Sequence, residues 1–171
     1  MDDEKFMRLA IEKAKEGVGN GQTPFGACIV KDGKVVSCEH NTVFRDTDIT
    51  AHAEINAIQK ACKKLKTIDL SGCVIYSTCE PCPMCFSACH WARISRIYFG
   101  ARIEDAKKAG FHEIMLPNSR IKEISNLETE ITGDFLREEC VEIFRIWSER
   151  GGQQTLLTSE TTFDSFLFLT L

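Results

Sequence analysis

The chain of 171 residues has no excess of positive charge. Its 21 lysines and arginines stand against 25 acids, for a net charge of −4 and a pI near 5.6. A surface that grips folded nucleic acid through phosphates normally carries a basic footprint, so a general polyanion-binding role is not expected. No apolar run approaches the roughly 20 residues needed to span a bilayer, which argues against a membrane protein. There is no internal repeat, so a solenoid is excluded. The opening Met1-Asp2-Asp3-Glu4 is the wrong start for a secretory leader. Beyond the overlapping Cys79-Glu-Pro-Cys82 and Cys82-Pro-Met-Cys85 there is no separate Cys-x-x-Cys and no His-x3-His pair, so a closed zinc finger lacks half its ligands.

What is present begins with cysteine. Nine cysteines is many for this length, and the number is odd. Without a leader, a reducing cytoplasm suits the chain better than a disulfide framework, with two cysteines on metal and the others mostly buried thiols. Hydrophobic residues at 43% and charged residues at 27% are an ordinary globular mixture. The length fits one domain, placed over residues 1–150. After Gly151-Gly152 the composition shifts to an apolar tail, 151–171, which matches no recognisable function and is an aggregation liability if exposed.

Hydrophobic periodicity predicts an amphipathic helix over 3–17, with Phe6, Met7, Ala10, Ile11 and Ala14 on one face. Two short apolar runs, Gly26–Val30 and Val35–Cys38, flank the turn signal Lys31-Asp-Gly-Lys34 and predict a hairpin. A polar loop is expected from His40 to Ile49. A helix is expected over Ala51–Leu65, capped by Thr50, with Ile55, Ile58, Cys62 and Leu65 facing the core. Val74–Ser77 reads as a strand, Pro83–Arg93 as a helix, and Ile97–Gly100 as another strand. Later signals are weaker: a short helix at 104–109, a strand at 127–132 and a helix at 135–150. Helices alternating with short buried strands imply an α/β layer structure.

Four residues carry the chemistry. His52 and Glu54 form H-x-E, and Pro81-Cys-Pro-Met-Cys85 forms P-C-x-x-C, the signature of a zinc deaminase. One His and two Cys leave one position of a tetrahedral zinc open for water, and Glu54 is an acid beside it that is not a ligand. Residues three apart on a helix project together, so both sulfurs can reach one ion. A structural zinc knuckle or a redox pair also uses Cys-x-x-Cys, but neither needs the His-x-Glu element.

These residues resemble the cytidine deaminase-like superfamily over roughly residues 3–150. The likeness extends to Pro24-Phe-Gly-Ala27, Asn41, Cys79-Glu-Pro-Cys-Pro-Met-Cys85, Trp91-Ala-Arg93 and Ala109-Gly-Phe111, an ensemble most similar to bacterial guanine deaminases. The resemblance implies a three-layer α/β/α fold with a mixed five-stranded sheet and one Zn2+ per chain on His52, Cys82 and Cys85. It implies hydrolysis of guanine to xanthine and ammonia by zinc-activated water, with Glu54 as proton shuttle. Asn41, Phe25, Glu113, Trp91 and Ala53 would contact the purine, and the Glu80 carbonyl would face the leaving amine. Glu113 follows His112 where the resemblance expects two acids. A homodimer exchanging residues 135–150 is also implied. Alternatives are a tRNA adenosine deaminase, a deaminase of a guanine nucleoside, of cytosine or of cytidine, and a non-catalytic zinc domain. Against RNA, residues 121–150 carry eight acids and four bases.

Overall fold

A computed structural model describes residues 3–152; the remainder of the 151–171 tail lies outside the described residues. Helix α1 (Asp3–Gly19) buries Phe6, Met7, Ala10, Ile11 and Ala14, the face expected from their spacing, and extends it with Val18. Strands β1 (Gly26–Lys31) and β2 (Lys34–His40) form the expected hairpin, turning through Asp32 and Gly33 at positive φ. A Cβ on Gly26 would lie 2.2 Å from the Ala10 carbonyl oxygen, so only glycine allows α1 this close to β1.

The segment read as a polar loop holds a short helix, α2 (Val43–Asp46). Its first amides are satisfied by side chains, one local and one distant: Val43 N–H donates to Asn41 Oδ1, and Phe44 and Arg45 N–H to Gln22 Oε1. Periodicity cannot show such long-range capping. Helix α3 (Ala53–Leu65) starts two residues later than expected, with His52 rather than Thr50 as its N-cap. The Thr50 hydroxyl bonds Asp48 instead. The inward face of α3 is Ala53, Glu54, Ala57 and Ala61, while Ile55, Ile58, Cys62 and Leu65 are only half-buried. Alanines let the helix lie close to the sheet; the larger residues fill its flanks.

Strand β3 (Cys73–Cys79) runs into α4 (Pro83–Trp91), then β4 (Arg96–Ala101) and α5 (Ile103–Lys108) follow. Helix α6 (Asn118–Ile124) was not expected. The predicted strand over 127–132 shrinks to β5 (Glu130–Thr132), because the Leu127 amide already closes the end of α6 on the Lys122 carbonyl. Helix α7 (Arg137–Glu149) starts after Leu136, whose φ of 52° breaks the helical path.

The sheet order is β2-β1-β3-β4-β5, with β1 antiparallel to both neighbours and β3, β4 and β5 parallel. Helices α1 and α7 cover one face, α3 and α4 the other, giving the expected three-layer fold. Residues 135–150 include helix α7, which joins the core of its own chain. Helix α7 packs on α1 and β4, with Cys140 on Gly100, where a Cβ would be 2.2 Å from its sulfur. Phe144 and Trp147 meet Phe25 and Phe111, and Arg137 pairs with Asp105 at 2.6 Å. No helix among the described residues is long and apolar enough to cross a membrane.

Candidate active site

Two helix N-termini converge on one face of the sheet. His52 is the N-cap of α3 and Cys82 the N-cap of α4, both in extended backbone conformation, and Cys85 sits in the first turn of α4. Pro83 is tolerated there because the first turn has no intrahelical use for its amide. The sulfurs of Cys82 and Cys85 lie 3.7 and 3.5 Å from His52 Nδ1, and all three donor atoms fall within 4.8 Å of one another. A tetrahedral zinc with ordinary Zn–S and Zn–N bonds needs S···N edges of about 3.5 Å. The donor set and its spacing therefore fit zinc, and the positive ends of both helices favour thiolate ligands.

The electrostatics are those of a site prepared for a cation. The Cys85 thiol donates to Cys82 and, against the cost of burial and with help from His52, lowers its pKa to about 4. Cys85, as the donor to a thiolate in a buried place, is pushed far up. Burial opposes a charged His52, but Cys82, Glu54 and Glu113 together raise its pKa. Glu54 is almost fully buried, and burial raises its pKa, with His52 pulling the other way and the Cys82 thiolate adding to the rise. Its Oε1 accepts a hydrogen bond of 3.1 Å from Ser77 Oγ on β3.

The other expected site residues divide. Ala53 is fully buried at the start of α3, between His52 and Glu54. Asn41 is buried, and its carboxamide oxygen is committed to the Val43 amide, which orients the NH2 group for donation. Glu113 is half-buried; burial raises its pKa first, then the Cys82 thiolate, and Glu54 adds to this while His52 and His112 oppose it, so it lies within electrostatic reach of the metal ligands. Phe25 packs edge-on against Phe111 and Phe144, with ring centroids 4.9 and 5.7 Å away, as part of the core beneath the loop that carries Glu113. Trp91 is not brought to the site. It ends α4, about 9 Å of helical rise from Cys85, is 79% exposed, and packs on His90.

Three residues were not foreseen. Ser77 was read only as the end of a strand; a hydroxyl on an otherwise apolar buried face was the signal that could have found it. The Glu80 side chain, which the resemblance left without a role, accepts from the Asn118 amide at 2.7 Å, and Asn118 Nδ2 donates to the Pro81 carbonyl at 2.6 Å. This latch ties the start of α6, and hence the loop after Phe111, to the cysteine loop. Asn118 is completely buried, and nothing in the local sequence marks it.

Comparison with known proteins agrees with this geometry. Residues 1–101 match the family described as the cytidine and deoxycytidylate deaminase zinc-binding region. The chain is 41% identical to guanine deaminase of Bacillus subtilis (strain 168) over 151 residues, covering 86% of this chain and 94% of that protein. It is 36% identical to the tRNA-specific adenosine deaminase of the same organism over 138 residues, 81% of this chain and 83% of the relative. Among solved structures, guanine deaminase from Nitrosomonas europaea superposes with a TM-score of 0.78 at 27% identity, over 84% of this chain and 83% of that one. The chain belongs to the cytidine and deoxycytidylate deaminase family, whose members are hydrolases of C–N bonds.

Proposed function

We propose that the chain binds one zinc ion through His52, Cys82 and Cys85 and hydrolyses guanine to xanthine and ammonia. Zinc, when bound, acidifies water toward neutral pH and so supplies a nucleophile. Glu54 takes a proton from the attacking water and delivers it to a ring nitrogen of the base. It then takes the remaining proton of the added hydroxyl and passes it to the departing amine as the C–N bond breaks, so that water and guanine are converted to xanthine and ammonia with no proton left over. General acid–base transfer of this kind contributes about 10² to 10⁴-fold in rate. Asn41 donates its amide NH2 to a ring acceptor, and Ala53, at the first turn of α3, lies against the base. The product's formation needs no redox partner.

The observation that carries guanine over adenine is Glu113. Its half-buried carboxyl interacts electrostatically with Cys82, His52 and Glu54, which supports a role for it at the substrate edge. Guanine presents adjacent donors, N1–H and the amino group, and one carboxylate can accept from both. Adenine presents a lone pair at N1, which a carboxylate repels. The likeness to guanine deaminase over most of the chain supports the same choice. The relatives that act on tRNA adenosine keep the second reading in view, and the acidic balance of residues 121–150 weighs against it. A purine enzyme with reduced cysteines suits the cytoplasm, and a homodimer is the expected assembly.

Ammonia release from guanine, guanosine, adenine, cytosine, cytidine and an anticodon stem-loop, measured side by side, tests the proposal. Guanine is expected to react fastest. Reaction of the stem-loop alone would overturn the free-base reading.

A further inference from the structure

The face of β3 that meets α3 and α4 is apolar at Cys73 and Ile75, which lie in the core with Ala57, Phe86 and Cys89. Ser77 is the next residue on that face, paired with Ala27 of β1 and Phe99 of β4, and it is 2% exposed. A buried hydroxyl needs a partner. Ser77 Oγ finds it in Glu54 Oε1, 3.1 Å away. Glu54 also has a hydrogen bond to its own backbone, and among the described residues the Ser77 hydroxyl is the side-chain donor to its carboxylate. With Oε1 engaged by Ser77, the carboxylate has a defined anchor on β3.

We propose that Ser77 is a positioning residue of the reaction: its hydroxyl fixes the Glu54 carboxylate in the orientation that transfers protons. A carboxylate that must turn from water to ring nitrogen to leaving amine gains from one anchored oxygen, because rate depends on alignment within a fraction of an ångström. Groups that orient a reacting or ligating residue from behind typically cost about 10- to 100-fold in activity when removed. The strand context makes the prediction selective. Threonine keeps the hydroxyl and suits a buried β-strand, whereas alanine keeps the fold and deletes only the donor.

The inference rests on Glu54 being the proton shuttle, and the test separates the two. Wild type, Ser77→Ala, Ser77→Thr and Glu54→Gln are compared for guanine kcat and KM, zinc content and thermal midpoint. The expected result is kcat down about 10- to 100-fold in Ser77→Ala, with KM and zinc content unchanged and most of kcat restored in Ser77→Thr. A second readout needs no turnover: in the metal-free protein the infrared carboxyl band that disappears in Glu54→Gln shifts in Ser77→Ala and returns in Ser77→Thr. An unchanged kcat in Ser77→Ala beside an inactive Glu54→Gln overturns the role of Ser77 alone. A fully active Glu54→Gln overturns the shuttle itself. A loss of kcat that merely tracks lost zinc, or an alanine-like Ser77→Thr, also overturns the inference.

Discussion

The two faces of the sheet are built from different materials. Under α1 and α7 the core is large and aromatic: Phe6, Met7, Tyr76, Phe144 and Trp147 are buried there, with Phe25 and Phe111 packed against them. Under α3 and α4 it is aliphatic: Ile29, Leu70, Ile75, Ile94 and Ile97 pack with Ala53, Ala57 and Ala61 on the inward side of α3, and Phe86 is the one ring among its buried residues. The alanines on the inward side of this face let α3 lie close enough to the sheet for Glu54 to reach Ser77, and its two helix N-termini bring His52, Cys82 and Cys85 together. Among the described residues, the aromatic face carries no such metal-ligating cluster. It supplies burial, and through Phe111 it seats the loop that bears Glu113. Chemistry and stability are thus separated by the thickness of a sheet.

That separation can be broken from either side. The largest effect is expected from removing metal: chelation should abolish ammonia release, and added zinc should restore it, since the three ligands belong to the aliphatic face alone. On the opposite face, Trp147→Ala should cost about 3–5 kcal/mol of stability by leaving a cavity against Phe111. It should leave zinc content intact, as urea unfolding and metal analysis would show. Ala57→Leu should cost about 1–3 kcal/mol by overpacking, yet lower activity more than Trp147→Ala, because it lifts α3 from β3 and moves Glu54 off Ser77. Equal activity in the two variants would say that the faces are not divided as described.

The smallest effect is on pH dependence. Burial raises the pKa values of Glu54, Glu80 and Glu113. The folded metal-free chain therefore keeps protons that the unfolded chain has released, and its stability should fall as pH rises above the ordinary carboxyl value of 4.5. Glu54→Gln should flatten part of that slope in thermal scans of the metal-free protein.

Legibility in the sequence follows the same division. The hairpin, α1 and the helix after His52 were readable because their cues are local: a turn dipeptide, a 3.6-residue stripe, a motif of fixed spacing. The metal ligands and Glu54 came from such spacing, and the structure brings the ligands together. What was not readable depends on partners distant in sequence. Helix α2 is capped by Gln22, and α6 is moored by Glu80 through Asn118. The stripe of Ile55, Ile58, Cys62 and Leu65 on α3 pointed slightly past the true contact, because alanine carries little hydrophobic signal while allowing the closest approach. Trp91 was drawn toward the site by its motif, but its place at the far end of α4 leaves it in solvent. Ser77 was visible only as a strand residue until Glu54 was seen opposite it.

The central claim is an open metal position served by one carboxylate. It is tested most directly by measuring zinc and ammonia release on the same preparation of Glu54→Gln. The expected result is one zinc per chain and guanine turnover reduced by at least about 10²-fold. Full turnover, or zinc lost together with activity, would contradict it.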